Sequence, residues 1–134
     1  MTLVDSNVLL DILTGDPKWL DWSVEAMDRC AAKGPLYIND IVYSELSVRS
    51  ENQAALDLVL ESLSLDFQRT PKEALFLAGK AFGIYRAAGG SRSGVLPDFF
   101  IGAHAQIARL PILTRDLRRY HSYFPDVKLI APDR

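Results

Sequence analysis

Along this chain, short apolar runs alternate with longer stretches whose apolar residues recur at helical spacing. Leu3-Val4, "LYI" at 36–38, "LDFQRT" at 65–70, "PILT" at 111–114 and "VKLIA" at 127–131 read as strands. The stretches between them read as helices. Asn7 to Leu13 is stopped by Thr14-Gly15-Asp16-Pro17, and Trp19 to Ala32 runs until Gly34-Pro35. Ile41 to Arg49 follows, with Asn39 or Asp40 as its cap, and then Gln53 to about Leu63. Pro71 precedes a long helix to about Ala88, ended by Gly89-Gly90, and Pro97 is placed to start another that runs to Arg109. "RDLRRYHSYF" at 115–124 gives a short helical turn. Strands separated by helices predict an α/β fold, a parallel sheet of about four to five short strands with helices on both faces.

Length and composition narrow this to one unit. The 134 residues, 49% of them hydrophobic, suffice for a single core, so residues 1–134 are expected to form one domain. Asp5 interrupts the opening apolar run with no basic residue before it, unlike a secretory signal, and no stretch approaches the roughly 20 apolar residues of a membrane span. A cytoplasmic protein with no membrane partner is the expectation. Cys30 is the only cysteine, which leaves no internal disulfide and no multi-cysteine metal site. A net charge of −2 argues against a nucleic-acid partner until the acids are sorted. With four of the 17 acids set aside as a cluster, the 15 lysines and arginines outnumber the rest. Arg115, Arg118 and Arg119 then stand together, and Arg86 and Arg92 flank the glycine loop.

Four acids occupy suggestive positions. Asp5 ends the first strand and Asp116 lies two residues beyond "ILT", and ligands of open parallel sheets bind beyond the carboxyl ends of strands. Each also suits a turn or a helix cap. Glu45 shares a stripe with Ile41, Val42, Leu46 and Val48, where a carboxylate is costly without a partner, unless it lies at the edge and reaches solvent. Asp98 follows Pro97 at a helix start, a position the helix dipole favours for any acid, and it precedes the strongly apolar "FFIGAHAQIA". All four can point into one cleft. Their mutual repulsion calls for a cation, and oxygen-only ligands favour Mg2+ or Mn2+. Hydrolysis of a phosphodiester is the reaction that fits such ions.

Asp5-Ser6-Asn7, "SEL" around Glu45, "LPDFFIGAHA" containing Asp98 and "ILTRD" ending in Asp116, in this order and with the ending "YFPDVKLIAP", resemble the PIN domain, in particular the VapC toxins of bacterial toxin–antitoxin pairs. The resemblance implies a PIN-type α/β/α sandwich in which Asp5, Glu45, Asp98 and Asp116 form a metal-binding catalytic site. It implies a supporting hydroxyl at Thr114 and a small polar neighbour at Asn7, which also suits an N-cap. It further implies Mg2+- or Mn2+-dependent endoribonuclease activity on an RNA substrate, a cognate VapB-like antitoxin that covers the site, and commonly a homodimer. Arg86, Arg92, Arg115, Arg118 and Arg119 are the candidates for contact with RNA or antitoxin.

Other readings fit less well. In "DSN" the second acid of a haloacid-dehalogenase motif is replaced by Asn7, and Asp57 of "AALDLVL" is helical, unlike the phosphorylated aspartate of a receiver domain. The glycines from Gly89 to Gly94 follow a helix and lack the Lys-Ser/Thr of a P-loop. His104 reads as a packed residue, His121 as a surface residue within reach of RNA, and Trp19 with Trp22 as core or dimer interface. The alternative from a different class is a PIN-like scaffold that binds another protein without turnover.

Overall fold

The computed structural model describes residues 1–91 and 96–133, together with the backbone but not the side chain of Arg119. Arg92 and Gly94, named above, lie outside the described residues. The elements follow in the order β1 (Thr2–Val4), α1 (Ser6–Thr14), α2 (Leu20–Lys33), β2 (Leu36–Asn39), α3 (Asp40–Ser47), α4 (Gln53–Ser62), β3 (Leu65–Gln68), α5 (Lys72–Ala87), α6 (Leu96–Ala108), β4 (Ile112–Leu113), α7 (Arg118–Tyr123) and β5 (Leu129–Ile130). The five strands form one sheet in the order β3-β2-β1-β4-β5, and every pairing is parallel. Among the described residues, no helix is long and apolar enough to cross a membrane.

β1 and β2 each run one residue longer than the apolar runs suggest, whereas β3, β4 and β5 are shorter, and side chains account for the ends of β3 and β4. Arg69 and Thr70 leave β3 because the Thr70 amide and hydroxyl both donate to Asp40 Oδ1. Thr114 continues the backbone ladder, its amide bonded to the Ile130 carbonyl at 3.0 Å, but its side chain turns to the acids. At the centre, Leu3, Val4, Ile112 and Leu113 are wholly buried, as parallel strands covered on both faces must be. Asn39 caps α3 through Val42 N at 2.9 Å, and Asp5 caps α1 through Ser6 N at 2.7 Å. Asn7 is therefore not the cap. Val48, assigned by its spacing to the buried stripe of the Glu45 helix, is 83% exposed because α3 ends at Ser47.

The apolar helix α6 is central, with Phe99, Ile101, Ala103, His104 and Ala105 all buried. His104 is packed, as its surroundings in sequence suggest. Its Nδ1 lies 3.1 Å from Asn39 Nδ2, and since Asn39 Oδ1 is taken by Val42 N, the imidazole accepts and is the neutral tautomer protonated at Nε2. Burial lowers its pKa further from protonation. Across α5, α6 and α7, Tyr85, Phe99, Tyr123 and Phe124 form a continuous aromatic cluster with centroids 5.1–6.2 Å apart.

Gly102 lets α7 close on α6: a Cβ there would stand 2.3 Å from the buried Phe124 ring. Gly102→Ala should therefore destabilise the protein by about 2 kcal/mol, as overpacking of a filled core does. A thermal unfolding midpoint equal to that of the wild type would show instead that Phe124 can yield.

Candidate active site

The strand order reverses beside β1, whose neighbour β4 is reached only after the chain has built β2 and β3 on the other side. Just beyond the carboxyl ends of adjacent parallel strands at such a reversal, the flanking loops diverge and leave a cleft. Asp5 follows β1 and is only 3% exposed. Its Oδ1 accepts from Ser6 N, and its Oδ2 accepts from Thr114 Oγ1 at 2.9 Å and from Tyr120 OH at 2.8 Å. Asn7 Nδ2 approaches the same oxygen at 3.5 Å. Burial pushes the Asp5 carboxyl pKa up, these hydrogen bonds oppose the push, and the charge of Asp116 adds to it.

The other acids meet around this carboxylate. Glu45, half-buried on α3, accepts from Ser6 Oγ at 3.0 Å. Burial raises its pKa, and the negative charges of Asp5 and Asp98 raise it further. Asp98 stands in the first turn of α6. Asp116 follows β4, and its Oδ1 accepts from Arg118 N at 3.2 Å, so it also serves as a turn cap. The charge of Asp116 thus reaches Asp5, and the charges of Asp5 and Asp98 reach Glu45. Among the described residues, however, no three His, Cys, Asp or Glu side chains form a group already set to hold a metal ion. The donor chemistry nonetheless fits a hard divalent cation: the acids offer oxygen alone, and two of them are held near like charges in poorly hydrated surroundings.

Thr114 and Asn7 both join this network. The wholly buried Thr114 hydroxyl donates to Asp5 and accepts from Asp116 N at 3.0 Å and Asn7 Nδ2 at 3.3 Å, which uses all its hydrogen-bonding capacity. Asn7 Oδ1 accepts from Arg115 N at 3.2 Å. The arginines divide. Arg115 grips Asp11 with two bonds, Nε to Oδ2 at 2.6 Å and Nη2 to Oδ1 at 2.9 Å, and its guanidinium lies 5.0 Å from the centre of the Trp19 ring. Asp11 is 2% exposed and also accepts from Ser23 Oγ. Arg118, at the start of α7, and Arg86, in the last turn of α5, are exposed. Trp19 is half-buried edge-on to Trp22 and lies beneath Arg115.

Reading the sequence missed Tyr120 and Ser6 as members of the site. Ser6 sits between the candidates Asp5 and Asn7 in "DSN", so its proximity was a usable clue. Tyr120 offered none: it is 115 residues from Asp5 and stands in a basic run that suggests a solvated surface.

The family model for the PIN domain matches residues 2–124. Among curated proteins no sequence matches the chain. Several solved structures share the fold. VapBC2 from Rickettsia felis, bound to a DNA fragment from its promoter, superposes with a TM-score of 0.75 at 18% identity, over 98% of each chain. FitAcB from Neisseria gonorrhoeae gives 0.68 at 20% identity over 96% of each chain. A toxin–antitoxin complex from Klebsiella pneumoniae gives 0.66 at 19% identity, over 99% of this chain and 98% of the other.

Proposed function

Since the chain belongs to the PIN domain family, we propose that it is a divalent-metal-dependent endoribonuclease and the toxin of a VapBC-type toxin–antitoxin pair. The observation that carries this reading is the hydrogen-bonded network at the reversal of the sheet, in which Asp5 is joined to Glu45 through Ser6 and to the loop bearing Asp116 through Thr114. The similarity in fold to VapBC2 and to a toxin–antitoxin complex supports the biological role. In this reading the four carboxylates hold Mg2+, with Mn2+ as a substitute. When bound, such an ion would supply Lewis acidity toward the scissile phosphate and activate water.

The chain's own residues prepare that chemistry. Ser6, Thr114 and Tyr120 fix the Asp5 carboxylate, and Ser6 also holds Glu45 through its hydroxyl. Thr114 couples Asp5 to the loop bearing Asp116, so two acids from adjacent strands keep a common register. Arg118, exposed at the start of α7 just after that loop, is suited to the phosphates beside the scissile bond, and Arg86 to the other approach. Arg115 is already engaged by Asp11 and takes a scaffolding part in this scheme. An antitoxin most simply silences such a site by lending it an arginine or lysine. The protein would act in the cytoplasm, commonly as a homodimer.

The test is RNA cleavage by the purified chain with Mg2+ or Mn2+ and with excess chelator, beside Asp5→Asn. Cleavage is expected with either metal, with none in chelator and none from the variant. Intact RNA with folded, metal-supplied protein would remove the nuclease reading, and peptide binding under those conditions would favour the scaffold.

A further inference from the structure

Tyr120 is buried to 1% exposure, and its hydroxyl points at an acid. A phenol in such surroundings must find a partner, but many backbone carbonyls would serve; this one spends its single proton on Asp5 Oδ2. The count of lone pairs gives that choice a meaning. A carboxylate oxygen has two in-plane acceptor positions, and on Oδ2 Thr114 and Tyr120 fill both, with Asn7 at 3.5 Å crowding the same atom. Among the described residues, Oδ1 accepts from Ser6 N alone, which leaves it one acceptor position.

Resting on the metal-dependent reading above, we propose that Tyr120 is a positioning residue that, with Thr114, closes Asp5 Oδ2 and so makes Asp5 a one-oxygen ligand through Oδ1. The consequence is selectivity among cations. Mg2+ and Mn2+ suit single carboxylate oxygens in compact octahedral sites, whereas Ca2+ takes more oxygens and accepts two from one carboxylate. A closed Oδ2 therefore disfavours Ca2+. The rigidity needed for this comes from α7, which Phe124 locks against Gly102 and Tyr123 ties to Phe99 and Tyr85.

The experiment measures Mn2+ and Ca2+ binding by calorimetry on the full chain, comparing wild type, Tyr120→Phe, Thr114→Val and Asp5→Asn. Near-ultraviolet circular dichroism checks that each is folded. The wild type is expected to prefer Mn2+, and Tyr120→Phe to shrink the Mn2+/Ca2+ affinity ratio about tenfold, within the range found when a residue that orients a ligand is changed. Thr114→Val should move the ratio the same way and carries the test if Tyr120→Phe does not fold. A purely structural Tyr120 would weaken both ions together and leave the ratio alone, and that result would overturn the proposal while sparing the metal site. Wild type that binds no Mn2+, or Asp5→Asn that binds it equally well, would overturn the metal reading itself.

Discussion

Changing Asp98 to Asn is expected to slow single-turnover RNA cleavage roughly a thousandfold while leaving RNA affinity in metal-free buffer nearly unchanged. Asparagine keeps the shape and polarity of the side chain in the first turn of α6, so the fold should lose only about 0.5 kcal/mol of favourable charge–dipole interaction. What disappears is a negative charge that raises the pKa values of both Glu45 and Tyr120. In the proposed metal-dependent reaction that charge would matter most in the transition state. Arg118→Ala supplies the opposite pattern: weaker binding, with the salt slope of affinity reduced by about 0.7 for a single-stranded substrate, and a smaller loss in the chemical step. Both variants, measured for binding and cleavage across a salt series, separate capture from chemistry. Equal losses of affinity in the two would contradict the assignment of Asp98 to the metal, and an unchanged slope for Arg118→Ala would move the RNA track toward Arg86.

Arg115→Ala should cost about 3 kcal/mol of stability, a larger loss than the exposed Arg86 or Arg118 would produce. The substitution leaves Asp11, at 2% exposure, with Ser23 alone against a full negative charge. Stripping one partner from a buried ion pair costs roughly 3–5 kcal/mol, and the 27% exposure of the Arg115 side chain argues for the lower end. Removal of the guanidinium also uncovers the face of Trp19, while the bond from the backbone amide of residue 115 to Asn7 stays. Urea unfolding gives the number directly. A loss below about 0.5 kcal/mol, accompanied by weakened RNA binding, would return Arg115 to the RNA-contacting group from which its geometry separates it.

Apolar patterning was sufficient for the strands, the helices and the parallel sheet, because each depends on near neighbours: a run of buried residues, a glycine or proline stop, an asparagine cap. The four acids also stood out in the sequence, since each interrupts an apolar context or ends an element. What brings Asp5 and Asp116 together is the sheet order, which sets β1 against β4 although the two are far apart along the chain. The same local pattern misjudged Val48, which the end of α3 releases into solvent. It could not separate Arg115 from Arg118 either: in "TRDLRR" they are alike, and only the packing of α1 against α2 brings a buried carboxylate to meet the first of them. Tyr120 depended wholly on tertiary structure. A hydrogen bond between its phenol and Asp5 requires α7 to fold back onto the strand ends, and no periodicity of apolar residues encodes where one hydroxyl will find its acceptor.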